Sequence, residues 1–195
     1  MNEKVEFLNA FLKNPLSVGA VAPSGLELSR MMAEGIEPSR DSIILELGVG
    51  TGAVTKAISR ILPEEDCYLG IELNERFVGV LRNDFPDLKF TQGDAGDAAS
   101  LHEASGLGKV GYVISSLPFV SLPGDVTERI LKQIEKFMEQ GCIFRTFQYA
   151  HGYYLPSALK LREFMRERYG VSERSTLVMR NVPPAYTLTW RGPSV

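Results

Sequence analysis

Ile43-Ile44-Leu45-Glu46-Leu47-Gly48-Val49-Gly50-Thr51-Gly52 is the stretch from which the fold is read. Its first five residues form a buried β-type run. The glycines that follow carry no Cβ, so the backbone turns sharply there and a ligand can approach it closely. A helical pattern, Val54–Ile61, comes next, and the exposed N–H groups at its start favour an anionic group. Further along, the same beat repeats. Apolar runs at Tyr68–Glu72, Leu88–Thr91, Tyr112–Ser115 and Ile143–Tyr149 alternate with helical patterns such as Asn74–Asp84 and Val126–Met138. That alternation implies βαβ units and a mostly parallel, doubly wound sheet with helices on both faces. The last two runs, Thr176–Arg180 and Tyr186–Trp190, are separated only by Asn181–Ala185, too short for a crossover helix. They are expected to close a seven-stranded α/β sheet with an antiparallel hairpin.

The bulk properties fit one domain spanning residues 1–195. The composition is 44% hydrophobic and 23% charged, ordinary for a globular chain. A formal net charge of −3 is unpromising for nucleic acid, whose phosphates are met mostly by Lys and Arg. Cys67 and Cys142 sit at no metal-ligand spacing, and His102 and His151 are the only histidines, so no protein-held metal is expected. No apolar run approaches the roughly 18 to 20 residues that span a bilayer, and no signal peptide opens the chain. The expectation is a cytoplasmic protein, free or peripheral at the inner membrane. Residues 1–40 read as an N-terminal helical lid or membrane-contact segment, with Val5, Phe7, Leu8, Phe11 and Leu12 on one side at helical pitch. Ser24 and Glu27 form a capping box that opens a second helix toward Met32.

Three motifs carry the chemistry. The glycine stretch satisfies G-x-G-x-x-A through Gly48, Gly50 and Ala53, so by pattern alone a dinucleotide is possible. Glu46 argues otherwise: a carboxylate just before the glycines suits the ammonium of a methionine moiety and sits poorly beside a pyrophosphate. Gly52 keeps the loop open where a sulfonium cofactor would bend. Glu72, at the end of the second strand, can accept from both ribose hydroxyls, which serves NAD or S-adenosylmethionine alike. Asp94, after the third strand, is positioned to accept from the amino group of adenine. Its alternative role is a helix N-cap or turn residue.

Glu46 through Gly52, then Glu72, then Gly93-Asp94-Ala95 resembles the cofactor site of Rossmann-like class I methyltransferases. The flanks resemble bacterial phospholipid N-methyltransferases: Phe11 through Gly25, Ser115-Ser116-Leu117-Pro118-Phe119, Phe147-Gln148-Tyr149 and Asn181-Val182-Pro183-Pro184-Ala185. The resemblance implies S-adenosylmethionine held by Glu46, Gly48, Gly50, Thr51, Gly52, Glu72, Leu73, Asp94, Ala95 and Ser115. It implies stepwise methylation of an amino-phospholipid, phosphatidylethanolamine toward phosphatidylcholine, at a membrane surface reached through the N-terminal helix. Leu117, Pro118, Phe119, Tyr149 and Arg180 would contact the substrate, and Ser116, Tyr149 and His151 would serve the transfer.

Related enzymes that dimethylate adenine in ribosomal RNA carry Asn-Leu-Pro-Tyr or Asn-Pro-Pro-Tyr after the fourth strand, the aromatic stacking on the base. Ser116-Leu117-Pro118-Phe119 departs from that pattern and leaves room for a small alkylamine. Dimethylation of ribosomal RNA and methylation of a small soluble acceptor stand as the alternatives. Tyr149 can face a methylated ammonium through its ring, and His151 can take a proton near working pH. Arg162, Arg166, Arg168, Arg174 and Arg180 make the most basic stretch, expected to be a solvated face, with phosphate or acidic-lipid contact as the sharper alternative.

Overall fold

The computed structural model describes residues 25–194. Helix α1 is Leu26–Ala33 and strand β1 is Ile43–Leu47, followed by the short helix α2, Thr55–Ile58. Then come β2 (Tyr68–Glu72), α3 (Glu75–Asp84), β3 (Lys89–Gln92), α4 (Ala98–Ser105), β4 (Val110–Ser115) and α5 (Gly124–Met138). The chain finishes with β5 (Ile143–Tyr149), α6 (Pro156–Tyr169), β6 (Glu173–Arg174) and β7 (Ala185–Arg191). The sheet order is β3-β2-β1-β4-β5-β7-β6. The first five strands are parallel, β7 is antiparallel to β5, and β6 is antiparallel to β7.

The expected seven-stranded, mostly parallel sheet is present. Strand β1 is buried along its whole length, as a central parallel strand must be when helices cover both faces. Ile43, Leu45 and Leu47 point to the face covered by α5 and α6, where Ile134, Phe144, Leu161 and Trp190 lie. Ile44 points to the opposite face, with Leu28 and Met32 of α1, Ile58 of α2 and Leu81 of α3. Helix α1 is thus part of a core layer. The apolar residues Val5 to Leu12 lie outside the described residues. Among the described residues no helix is long and apolar enough to cross a membrane.

Two local expectations are corrected. Thr176–Arg180 is not the sixth strand. Ser175 donates its N–H to the Thr187 carbonyl and Val178 donates to that of Ala185, so between these contacts two residues on one side face one on the other and the ladder breaks. Regular pairing is confined to Glu173–Arg174. The N-cap of helix α1 is Gly25, without a side-chain cap bond, and the expected cap residue Ser24 lies outside the described residues. Instead the Gly25 N–H donates to Asn181 Oδ1 at 2.7 Å, and Asn181 Nδ2 donates to the Pro183 carbonyl at 2.6 Å. Asn181 is buried, and this side chain ties the loop before β7 to the start of α1.

The other end of α1 is held by Arg145, which reaches out from β5. Its Nη1 lies 3.2 Å from the carbonyls of Met31 and Met32 and 2.6 Å from that of Glu34, while Nε donates to Thr189 Oγ1. A cation here answers both the unpaired carbonyls and the negative end of the helix dipole. Arg145→Met keeps the apolar stem and removes the donors. We expect it to cost about 1–3 kcal/mol and to lower Tm by several degrees, with α-helical circular dichroism retained below the transition. An unchanged melting curve would show that α1 is held by its apolar face alone.

Candidate active site

The carboxyl ends of β1, β2, β3, β4 and β5 meet at one edge of the sheet, where folds of this topology bind ligands. Glu46 faces α2 from inside β1 and is fully buried. Its Oε2 accepts from Tyr68 OH at 2.6 Å and from Thr55 Oγ1 at 2.8 Å, while Oε1 has no hydrogen-bond partner. Burial raises its pKa from 4.5 to about 7 against the two hydroxyl donors that favour the charged form.

The glycine loop turns over this carboxyl with positive φ at Gly48, Gly50 and Gly52. At Gly48 an added Cβ would meet Leu117 Cδ2 at 2.5 Å, so Leu117 packs directly on the loop. At Gly50, where φ is +59°, the space above the backbone is open. The Gly50 N–H donates to Glu72 Oε2 at 2.8 Å, and Glu72 Oε1 accepts from Asn74 N–H at 2.9 Å. Glu72 is buried, its pKa is raised by that burial and held back by the backbone donors, and each oxygen retains a lone pair. Thr51 is exposed and Leu73 half-buried beside the same edge.

Asp94 takes the cap position anticipated as its alternative. Oδ1 accepts from Gly96 N–H at 2.7 Å, opening a 3-10 turn at Ala95–Asp97, and Oδ2 is ion-paired with Arg129 of α5. Ala95 is buried in the core. Ser115 is buried and accepts the Leu117 N–H on Oγ. The hydroxyl of Ser116, by contrast, is buried with no partner, and so is that of Tyr149 at the end of β5. Among the described residues four buried side-chain polar atoms lack partners. Three of them, on Glu46, Ser116 and Tyr149, lie at this edge, and Trp190 Nε1, paired across from Phe144, lies toward the other. Orphaned polar atoms are rare in folded proteins, and a cluster at one edge marks a place that a polar ligand completes.

The remaining expected residues are less concentrated. Tyr149 is flanked by His151, stacked at 5.7 Å, and by Phe147, edge-on at 5.3 Å. His151 is exposed. Pro118 accepts turn hydrogen bonds from Ser121 and Leu122. Phe119 is 4% exposed and packs into the core, so its ring offers no free stacking face. Arg180 is exposed on the loop beside Gly25. Sequence reasoning missed Tyr68, Thr55 and Arg129. A tyrosine and a threonine inside apolar patterns read as packing residues, and nothing in the sequence places Arg129 on an aspartate so far away in the chain.

Comparison with known proteins gives this site a setting. Residues 44–141 match the model of the methyltransferase domain family. An ornithine lipid N-methyltransferase of Singulisphaera acidiphila is 31% identical over 136 residues, 66% of this chain and 70% of that protein. A ribosomal RNA small subunit methyltransferase A of Chlorobium phaeobacteroides is 29% identical over 91 residues, 47% of this chain and 33% of that protein. The structure of 1,6-didemethyltoxoflavin-N1-methyltransferase of Burkholderia thailandensis, with bound 1,6-didemethyltoxoflavin and S-adenosylhomocysteine, matches with TM-score 0.64 at 13% identity. That match covers 98% of this chain and 88% of the other, and at such identity it is a likeness of fold.

The raised pKa of Glu46 has a measurable consequence. The folded state holds this proton more tightly than the unfolded chain, so the resulting stability is complete below pH 4.5 and is lost as pH rises to about 7. Urea unfolding at pH 5 and pH 7.5 should therefore show Glu46→Gln losing less stability than the unaltered protein, by on the order of 2 kcal/mol. The slope that remains belongs partly to Glu72, shifted in the same direction. Equal losses in the two proteins would mean that Glu46 titrates normally.

Proposed function

The chain belongs to the class I S-adenosylmethionine-dependent methyltransferases, and from that premise we propose that it transfers the methyl group to the amine of a lipid headgroup. The observation that carries the acceptor is the pair of buried, unpartnered hydroxyls on Ser116 and Tyr149, beside a Phe119 ring sunk in the core. Two acceptors without a stacking face suit a small amine better than a planar base. The ornithine lipid N-methyltransferase, whose name specifies a lipid amine, supports the same choice. Phosphatidylethanolamine, carried toward phosphatidylcholine by successive transfers, is the phospholipid form of this acceptor.

S-adenosylmethionine brings a methyl group already activated on a sulfonium, so the protein's part is to bind, orient and exclude water. The residues present fit that cofactor. Glu46 Oε1 is a buried acceptor lacking a donor, as the ammonium end requires, and an ammonium there would draw Glu46 into its charged form. Glu72 has lone pairs to spare for two ribose hydroxyls. The open space over Gly50 is room that a ligand occupies. Asp94 Oδ1 and Oδ2 keep a lone pair each beside their present partners, enough for the adenine amino group.

On the acceptor side, Ser116 Oγ and Tyr149 OH take the N–H bonds of the amine and aim its lone pair. Desolvation lowers the pKa of an alkylammonium from about 10, and exposed His151, stacked on Tyr149, relays the proton to solvent. Holding two reactants in line is worth roughly 7–11 kcal/mol, so no strong base is needed.

Gly50→Val tests the cofactor cradle. A β-branched residue is strained at positive φ, and its side chain enters the open space above the loop. We expect a folded protein by circular dichroism with S-adenosylmethionine binding abolished in calorimetry. Normal binding by the folded variant would remove the cofactor from this loop.

The acceptor is tested by offering radiolabelled S-adenosylmethionine with phosphatidylethanolamine vesicles, ornithine lipid vesicles, ribosomal RNA and free ethanolamine side by side. Label is expected in a lipid amine. Label only at adenine in RNA would overturn the proposal, and label only in small soluble amines would replace the lipid.

A further inference from the structure

Helix α6 carries Arg162 on the side that packs over β5, and this arginine is not the solvated residue that its sequence context suggests. Its Nη1 donates to Oε1 of the buried Gln148 and to the Tyr153 carbonyl, and its guanidinium carbon lies 3.8 Å from the centre of the Tyr153 ring. Arg174 of β6 approaches the same rings from the neighbouring strand, 5.5 Å from the centre of Tyr153 and 4.8 Å from that of Tyr186. Tyr153 and Tyr186 pack edge-on at 5.1 Å, so two cations are held against one aromatic pair.

Neither cation has a carboxylate. Among the described residues no Asp or Glu lies within ion-pair distance of Arg162 or Arg174. Other arginines nearby are neutralised: Arg166 by Glu163, Arg168 by Glu135, and Arg191 by Glu173. Glu173 is the immediate neighbour of Arg174 and still pairs with Arg191. Two like charges gathered on one aromatic pair repel each other, and an anion within reach of both offsets that cost. Guanidinium is also the group suited to bidentate capture of carboxylate or phosphate, and the two bonds that fix Arg162 have already oriented it.

The position and the surroundings indicate the kind of anion. Tyr153 directly follows the 3-10 turn Ala150–Gly152 that leaves β5, just after Tyr149 and His151. Ser157 Oγ donates to the Val120 carbonyl at 2.8 Å, which joins this segment to the loop that carries Ser116. Beside the cations the surface is apolar: Tyr154 is 78%, Leu155 47% and Leu159 46% exposed. Leu159 lies one turn before Arg162 on α6, on the same face of the helix. A cationic spot fringed by exposed apolar side chains matches an anion that carries alkyl chains.

We infer that Arg162 and Arg174, stacked on Tyr153, bind the anionic group, phosphate or carboxylate, of the lipid headgroup whose amine enters the active site. This rests on the lipid reading above and gives the acceptor a second required feature, a negative charge beside the amine.

Arg174 is exposed and makes the better variant, because replacing Arg162 would break its bonds to the buried Gln148 and the Tyr153 carbonyl, whereas Arg174 meets only the side chains of Tyr153 and Tyr186. With S-adenosylhomocysteine bound, the full chain is titrated calorimetrically with three amines: dihexanoyl phosphatidylethanolamine, Nα-octanoyl ornithine and octylamine. The unaltered protein should prefer at least one anionic probe over octylamine, and Arg174→Gln should shrink that preference about tenfold or more, the loss expected for one charge-assisted contact. Arg166→Gln, on the same helix, should leave the preference unchanged. Whichever anionic probe loses affinity identifies the source as phosphate or carboxylate. A preference unaltered by Arg174→Gln, or absent from the unaltered protein, overturns the site. Because binding is read without turnover, Arg174-dependent binding with no methyl transfer would refute the lipid N-methylation reading and leave the anion site standing. Transfer to lipid that ignores Arg174 would do the reverse.

Discussion

The hydrogen bond from the Gly50 N–H to the carboxylate of Glu72 joins the loop after β1 to the end of β2, and the rest of the edge is arranged around it. It holds Gly50 at a φ that other residues rarely adopt and keeps the space above the loop clear. Beneath it, Glu46 draws together three elements, since it belongs to β1 and accepts from Tyr68 of β2 and Thr55 of α2. Two carboxyls on adjacent parallel strands are thus buried within one small region. Each is costly to bury when charged, and hydroxyl and backbone donors offset only part of that cost, as the raised pKa values of both record. A site that spends stability in this way gains fixed acceptors whose spare valences face a ligand.

Much of this was legible in the sequence because it follows from periodicity and from glycine. The bounds of β1, β2 and β5 agree with the runs read from the sequence: β1 and β2, covered on both faces, are buried at every position, and β5 alternates between buried and half-buried ones. The sixth strand was misplaced for a physical reason. Thr176–Arg180 has strand-like residues, but the extra residue between its two contacts with β7 breaks the ladder, and no propensity scale registers a register shift. The Gly25 cap was hidden similarly, because its partner, Asn181, is remote in sequence.

At the site, residue types were legible and partnerships were not. Glu46, Glu72 and Asp94 stand at the ends of predicted strands, which is a one-dimensional property. That Asp94 spends one oxygen on Gly96 and the other on Arg129 depends on how α5 packs against the turn after β3. The same limit governs the basic stretch. Along the chain Arg162, Arg166, Arg168 and Arg174 look alike, whereas in three dimensions two are neutralised by glutamates and two are stacked on tyrosines without a counter-charge.

That division of the arginines bears on how an amphiphile would sit. The alternation of β5 sends Gln148 toward α6, where Arg162 holds it, and Tyr149 to the opposite face, against the layer that includes α1. Adjacent residues of one strand therefore serve the two sides of the sheet, the unpartnered Tyr149 hydroxyl on one and the cationic pair on the other. A headgroup engaging both must lie across the carboxyl edge at the end of β5, over the Ala150–Gly152 turn. Its alkyl chains then leave beside Tyr154, Leu155 and Leu159, the exposed apolar side chains at that corner. A planar base would find no free aromatic face at Phe119, whose ring is packed in the core. Under the lipid reading, the position of the charges, more than their number, is what would separate a lipid amine from a nucleobase in this fold.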